Sequence, residues 1–294
     1  MVFESDITLE GPVTLPDNAT VTILYSGHHI RNTDDIILQA NTKVIADVIT
    51  NQFVAGEGYV INWTKNDDST WIYELAPSTW PVTITKADGE TKSYETAAAA
   101  FNASRDGDTV TLNEDIEVAI SLYPTDTSGV SSGNVLVDLN GHTAAKGASS
   151  VGGTTMTLIN GTITNTASSA TKGVSAYGGN GTVIVENSVN VEAGIAVHSS
   201  PGYNDTTAVA IINGGNFVGT SQAIKIEKAG GSSRTNGGKV IVNGGTFTGP
   251  ITVAAGGELV ITGGKFNTDP SAYVAEGYAA IEQDGVWNVV PANG

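Results

Sequence analysis

The chain has 294 residues, a net charge of −17 at pH 7 and only 13 Lys and Arg, which are scattered along its length. Phosphate binding needs a basic footprint, so this charge argues against nucleic acid and against an anionic membrane as partners. The absence of Cys excludes disulfides and thiolate metal sites, and no run approaches about 18 apolar residues, so we expect no membrane insertion.

Residues 1–78 predict an N-terminal all-β domain. Short runs alternate apolar and polar residues between Gly, Pro, Asn and Asp, which is typical of strands joined by turns. We interpret this domain as a small β-sandwich or an irregular β unit with a docking role. Its predicted strands are 7–9, 13–15, 21–25, 36–38, 43–49, 59–63 and 71–75.

Residues 79–118 predict a hairpin followed by a helix. Asp88-Gly89 is a strong hairpin turn signal. The alanine-rich segment from Ser93 to Asn102 predicts a helix with Ser93 as its N-cap. Such a helix would cap the N-terminal end of a repeat array, where unpaired strand edges invite association.

A short phrase recurs through residues 119–266, as in 241–247. In each copy β-branched residues precede Asn-Gly or Asn-Gly-Gly, and an apolar residue follows. A single repeat cannot bury its apolar face alone and must stack on its neighbours. The repeat therefore predicts an all-β fold: a capped, right-handed parallel β-helix, or β-solenoid. The structural turn positions are Asn140, Gly141, Asn160, Gly161, Asn213, Gly214, Gly215, Asn243, Gly244, Gly245, Gly263 and Gly264.

Stacked coils predict specific side-chain contacts. Asparagines at equivalent positions should satisfy one another's amides, and Gly or Asn at the turns should adopt positive φ. Phe217, Phe247 and Phe266 should stack inside the array. The uneven spacing of the copies predicts loops at 119–134, 146–155, 199–207 and 228–238.

Residues 267–294 predict a C-terminal cap, as repeat arrays require. Asp269-Pro270 is an N-cap followed by Pro at the first helical position, which indicates a short helical turn over Ser271–Glu276. Asp284-Gly285 then predicts a hairpin turn between two short strands.

Three segments together carry a family resemblance. They are 106–112, 137–143, and the Asn-Gly-Gly-Thr-Phe copies with the ending at 269–274. They resemble the β-helix modules of cell-surface and adhesin-like proteins from anaerobic bacteria, and of related phage virion proteins. The resemblance covers roughly residues 80–290 and implies an extracellular or particle-surface setting. Surface members carry a secretion signal and cell-wall repeats, and this sequence shows neither, which favours a virion component.

The pectate-lyase fold shares this architecture, so motifs for polysaccharide cleavage bear on the function. Asn32-Thr33-Asp34-Asp35 and Asn267-Thr268-Asp269 mimic a polygalacturonase phrase, but the first lies outside the repeats and the second in the cap. His28 and His29 would point to opposite faces of a strand, which is awkward for one metal ion. We therefore expect no catalytic residues, no metal site, no cofactor and no enzyme.

Other residues of the repeats have less specific patterns. His198 is interpreted as structural or solvated, and the segment around Lys225 only loosely resembles a basic substrate clamp. Tyr177 and Tyr203 lie in predicted loops and are candidates for stacking on sugar rings.

The expected function is structural and adhesive. The first expectation is a phage virion protein, a fibre or a capsid decoration on the virion surface. Its N-terminal domain would dock to other virion proteins, and its solenoid would contact host glycan. A homotrimer is one assembly that this function allows. The alternatives are a bacterial cell-surface adhesin module and, third, a polysaccharide lyase or hydrolase.

Overall fold

The computed structural model describes residues 1–31, 34–56, 58–66, 68–123, 133–203 and 205–292. The chain is nearly all β, with 51% strand and 4% helix, and its stacked parallel sheets form a β-solenoid of about 9 turns. This confirms the predicted fold class. Residue contacts divide the chain into two units. They are Met1–Thr96, the N-terminal unit, and Ala97–Gly294, the solenoid unit.

The N-terminal unit is built of short strands. They are β1 Val13–Thr14, β2 Thr20–Ile23, β3 Ile36–Leu38, β4 Lys43–Ala46, β5 Phe53–Ala55, β6 Tyr59–Lys65, β7 Trp71–Pro77, β8 Val82–Thr85 and β9 Thr91–Tyr94. Strands β1, β3 and β5 pair in parallel, as do β2 and β4. Strands β4, β7, β6, β9 and β8 then pair antiparallel in that order.

The sandwich interpretation of residues 1–78 is therefore wrong for the first part of this unit. Val13 pairs with Ile36 and Thr20 with Lys43, each 23 residues later, so the chain already winds as coils here. The alternation of apolar residues locates strands, but it does not say which strand pairs with which. Nothing in the local pattern distinguishes a parallel coil from a hairpin partner.

The solenoid unit begins with the helix α1 Ala97–Ala103. Its strands are β10 Thr109–Leu112, β11 Ile120–Leu122, β12 Asn134–Asp138, β13 Thr143–Ala145, β14 Ala148–Val151, β15 Thr155–Ile159, β16 Gly161–Asn165, β17 Lys172–Tyr177, β18 Thr182–Val185, β19 Val189–Ser200, β20 Val209–Ile212, β21 Asn216–Ile226, β22 Lys239–Val242, β23 Thr246–Thr248, β24 Ile251–Val253, β25 Glu258–Ile261, β26 Gly264–Phe266, β27 Tyr278–Gln283 and β28 Val286–Pro291. A 3-10 helix, Ser271–Tyr273, separates β26 from β27.

Parallel pairing arranges these strands on three faces. Face 1 runs in the order β10, β12, β15, β18, β20, β22 and β25. Face 2 contains β13, β16, β23 and β26, together with the first parts of β19 and β21. Face 3 contains β11, β14, β17 and β24, together with the second parts of β19 and β21. A register shift between Ala193 and Ile195 marks the corner where β19 passes from face 2 to face 3.

The repeated phrase fills the interior with aligned side chains. Phe217, Phe247 and Phe266 are each 1% exposed or less, and they occupy paired positions on face 2. Their ring centroids lie 4.9 and 4.8 Å apart, and the planes differ by only 8° and 7°. The predicted internal stack is thus confirmed. Each such ring pair adds about 0.5–1.5 kcal/mol beyond the area it buries.

The predicted asparagine contacts between coils are also confirmed. The Asn243 amide donates to Asn213 Oδ1 at 2.9 Å, and the Asn213 amide donates to Glu186 Oε1 at 2.9 Å. In an earlier coil Asn160 donates to Asp138 Oδ1 at 3.2 Å. The amide of Asn140 instead donates to the Leu112 backbone carbonyl at 3.1 Å. The row of contacts from Glu186 through Asn213 and Asn243 ends at Thr262, whose hydroxyl donates to Asn243 Oδ1.

Positive φ falls at two different places in the phrase. In the Asn-Gly copies, Asn140 and Asn160 take it, at 50° and 58°. In the two Asn-Gly-Gly copies the second Gly takes it, with φ of 102° at Gly215 and 105° at Gly245, and Gly264 of the Thr-Gly-Gly copy does the same at 105°. A Cβ at Gly215 would lie 2.3 Å from the Val189 carbonyl oxygen, so both the conformation and the close approach of the preceding coil require Gly.

Two element predictions at the unit ends need correction. The helix is Ala97–Ala103, because Ser93 lies in β9 opposite Thr83 and its N–H donates to Asn62 Oδ1 at 2.8 Å. Pairing with neighbouring strands outweighs local capping preference there. At the other end only Ser271–Tyr273 is helical, and the Asp269 carboxylate accepts from the Ser271 N–H at 2.9 Å. The predicted closing hairpin is confirmed by β27 and β28.

Two of the predicted loops hold strands. The segment 146–155 contains β14 and the segment 119–134 contains β11, both paired on face 3. Residues 124–132 of the second segment lie outside the described residues. The segments 199–207 and 228–238 match their predictions better, since β19 ends at Ser200 and a bridge joins Lys228 to Gly237.

Candidate functional site

One row of polar side chains crosses the outer side of face 3. Parallel register aligns Ser149 with Ser175, Ser175 with His198, and His198 with Lys225. The next residues along these strands, such as Ala176, point to the core because successive side chains of a strand alternate. The register of three coils therefore places a hydroxyl, an imidazole and an ammonium side by side.

The imidazole of His198 is the centre of this row. It is completely buried, and its Nδ1 lies 2.9 Å from the Ser175 hydroxyl oxygen. Its Nε2 lies 3.4 Å from Glu227 Oε2, a contact without hydrogen-bond angles, and has no hydrogen bond in the part of the chain that the structure describes. The other carboxylate oxygen of Glu227 pairs with Lys225 Nζ at 2.7 Å.

Burial and charge set the protonation of this group. Burial lowers the pKa of His198 most, and the neighbouring Lys172 and Lys225 lower it further, while contact with Glu227 acts in the opposite sense. Contact with His198, and then the ion pair with Lys225, hold the pKa of the Glu227 carboxyl well below its usual range. The site therefore favours a neutral imidazole beside an ionised carboxylate.

A cavity of about 400 Å³ opens beside Ser175 on the same face. Lys146, Lys172, Ser149 and Tyr177 also line it. This volume is within the range of small-ligand pockets. Its lining combines hydroxyl, ammonium and phenol groups, so it suits a polar ligand that carries negative charge or many hydroxyls.

The two tyrosines predicted to contact sugars lie at one corner of successive coils. Tyr177 is 39% exposed and follows Ser175 on β17, while Tyr203 is 73% exposed and follows the end of β19. A Cβ at Gly202 would lie 3.1 Å from the Tyr177 ring, and one at Gly230 would lie 2.6 Å from the Tyr203 ring. Each ring thus packs against the backbone of the following coil and keeps part of its surface open to solvent.

The other residues with catalytic or metal-binding patterns in the sequence make contacts that stabilise the fold. Asn267 Oδ1 accepts from the Gly249 N–H at 2.9 Å, so it joins two coils. His28 Nδ1 lies 3.8 Å from Asp6 Oδ1. Asn32 and Thr33 lie outside the described residues. Among the described residues, no group of three or more His, Asp or Glu side chains is placed to hold a metal ion.

A larger cavity, about 670 Å³, lies in the N-terminal unit. Tyr25, His29 and Arg31 are among its lining residues. Asp6 accepts from the His29 N–H at 2.8 Å and pairs with the Arg31 guanidinium. These contacts join successive coils and serve the fold.

The prediction from sequence missed the grouping of Ser175, His198 and Glu227. Only His198 has a pattern of its own in the sequence, because Ser175 precedes it by 23 residues and Glu227 follows it by 29. The available signal was the repeat itself: aligning its copies puts 175 and 198 at equivalent positions of consecutive coils.

Fold and site together define a β-solenoid protein with a polar groove on one outer face. No protein-family model, curated protein or solved structure matches the chain. Among the described residues no helix is both long and apolar enough to cross a membrane.

Proposed function

We propose that this protein is a structural and adhesive surface protein whose solenoid binds glycan. The observation that carries the proposal is the pair of partly exposed rings, Tyr177 and Tyr203, at one corner of face 3. Aromatic rings held by rigid backbone lose little conformational entropy on binding, and sugar rings stack on such surfaces. The cavity beside Tyr177, lined by hydroxyls and ammonium groups, supports an acidic or hydroxyl-rich glycan as the ligand.

The specific role that we propose is a phage virion component, a fibre or a capsid decoration. In this role the N-terminal unit docks to other virion proteins, and the solenoid unit contacts the host surface. Face-to-face stacking of many coils gives a rod that resists proteases, which suits exposure outside a cell. A bacterial adhesin module would use the same tyrosine corner without a particle.

Glycan binding is tested with full-length protein on an array of bacterial surface polysaccharides. Y177A and Y203A should each weaken binding at least several-fold, because each removes one stacking surface. Y59A is the matched control, since Tyr59 is 37% exposed but lies in the N-terminal unit. Equal binding by wild type, Y177A and Y203A would remove the tyrosine corner from the proposal.

The virion role is tested by solution mass and particle retention. A fibre should give a mass near three times 30.1 kDa by light scattering, and a decoration protein should stay on purified particles. A 30.1 kDa monomer that never copurifies with particles would leave the adhesin module as the better role.

A further inference from the structure

We propose that Ser175, His198 and Glu227 form a hydrolytic site that cleaves short-chain acyl esters, with Ser175 as the nucleophile. This inference goes beyond glycan binding and does not depend on it. The residues have the relation that defines an activated serine: a hydroxyl in reach of a base, and a base oriented by a third group. Such arrangements are recognised by geometry and roles, whatever the fold or the chain order.

The first step is the contact between nucleophile and base. Ser175 Oγ lies 2.9 Å from His198 Nδ1, and the two residues are direct partners in the β17–β19 register. Neither side chain depends on a loop for its position, because each projects from a paired strand. A site on rigid elements holds reacting groups more closely than a site on loops.

The second step concerns the proton on the imidazole. Groups facing His198 are Ser175 and Lys172 on β17, Lys225 on β21, and Glu227 just beyond β21. Glu227 lies on the Nε2 side, so the neutral ring carries its hydrogen on Nε2 and leaves Nδ1 free to accept. Burial lowers the pKa of His198, which keeps the ring in the neutral form that a general base requires.

The third step is the role of Glu227. A histidine with only a structural role would be expected to satisfy both ring nitrogens, yet Nε2 is buried without a hydrogen bond among the described residues. Glu227 Oε2 is 3.4 Å away, and Lys225 holds the opposite oxygen of the same carboxylate. Catalytic contacts of this kind are often long without substrate and shorten when charge develops on the ring. Glu227 is therefore the positioning residue that stabilises the imidazolium.

The reaction then balances with water as the second substrate. Ser175 Oγ bonds to the ester carbonyl carbon while its proton moves to His198 Nδ1, and the tetrahedral oxyanion collapses. The carbon–alkoxy bond breaks, and the departing alcohol takes the proton from Nδ1. Water then attacks the acyl carbon and gives a proton to Nδ1. The bond between the acyl carbon and Ser175 Oγ breaks, the carboxylic acid leaves, and Nδ1 returns the proton to Oγ, which restores the hydroxyl.

The cavity beside Ser175 has room for a short acyl group. Its volume is about 400 Å³, and Ser175 lines it together with Lys146 and Lys172. The positive charge of these two residues favours a developing oxyanion in the cavity. An acetyl ester fits within this volume.

The experiment uses full-length protein, a small fluorophosphonate probe and p-nitrophenyl acetate. Mass spectrometry of the digest should find the phosphonyl adduct on Ser175, and S175A should lose both the adduct and ester hydrolysis. H198Q should reduce the rate at least about 100-fold, as expected for loss of a general base. S121A is the matched control, because Ser121 occupies the same row two coils earlier and does not line the cavity, and it should behave as wild type.

The role of Glu227 is tested by a measurement that would not change if Glu227 only stabilised the fold. E227D should retain more activity than E227Q. The rate of ester hydrolysis should rise with pH as His198 loses its proton, and E227Q should shift this rise along the pH axis. Circular dichroism establishes that each variant is folded. If folded wild-type protein forms no adduct on Ser175, or if S175A hydrolyses the ester as fast as wild type, the proposal is overturned, whatever the glycan array shows.

Discussion

The two units pack aromatic rings in different ways. In the solenoid unit, Phe217 and Phe247 lie nearly parallel, 8° apart, at 4.9 Å. In the N-terminal unit, Phe53 meets Tyr73 edge-on at 65° and 4.5 Å. The stacked rings come from identical positions of parallel coils, whereas Tyr73 comes from β7, which runs antiparallel to β4.

The difference teaches what repetition contributes. The spacing between coils on face 1 varies, with Val209 paired to Lys239 and Lys239 paired to Glu258, 30 and 19 residues later. The extra residues leave as loops, and the stacked rows stay in register. Where an antiparallel strand interrupts the coils, the rows of equivalent side chains end, and each contact has its own geometry.

The largest expected effect is on the phenylalanine stack. F247A removes a fully buried ring with a neighbour on each side, so it should destabilise the solenoid unit by about 3–5 kcal/mol. F266A has one stacked phenylalanine neighbour and should cost less. Urea unfolding with hydrogen exchange of β22 and β25 measures both. An F247A cost at or below that of F266A would show that stacking adds nothing to burial.

The next effect concerns Gly215. G215A places a Cβ 2.3 Å from the Val189 carbonyl oxygen at a φ of 102°, so it should cost at least about 1–3 kcal/mol. G27A in the N-terminal unit is the control. Gly27 has a φ of 83° but open space around it, so only the backbone cost applies. Thermal unfolding of the two variants should therefore separate close coil packing from backbone strain; equal costs would contradict the packing explanation.

Acidification should destabilise the solenoid unit through His198. Because the folded state lowers the pKa of His198 below its ordinary 6.5, the unfolded chain binds the proton more readily. Stability should thus fall as pH drops from about 6.5 toward the lower folded value. Glu227 acts in the same sense below its ordinary 4.5. In H198Q the melting temperature should change less between pH 7 and pH 5 than in the wild type. An unchanged dependence of melting temperature on pH would argue against a buried neutral ring.

The smallest effect is on the asparagine contacts. N243A removes hydrogen bonds to Asn213 and Thr262, each worth about 0.5–1.5 kcal/mol. N41G is the comparison in the N-terminal unit, because Asn41 donates to Asn18 at 2.9 Å and has a φ of 57° that Gly accepts. N41G should cost less than N243A in denaturant titrations. The reverse order would mean that the N-terminal unit gains more from its asparagine contact than the solenoid unit does.

The candidate site was only partly predictable. Tyr177 and Tyr203 stand out in sequence because they flank glycines, and the structure leaves both rings partly exposed. His198 has no such local signal. Its burial and its contacts with Ser175 and Glu227 arise only when three coils are superimposed.

The sequence by itself determined the β-solenoid, the interior phenylalanines, the asparagine contacts and the closing hairpin. These follow from apolar periodicity and from turn residues that act within a few positions. Tertiary structure alone decided that residues 1–55 already wind as parallel coils, that Ser93 joins a strand, and that Ser175 meets His198. The physical reason is register: strand partners lie about 20 to 30 residues apart, and packing across whole coils, not local preference, fixes which residues meet.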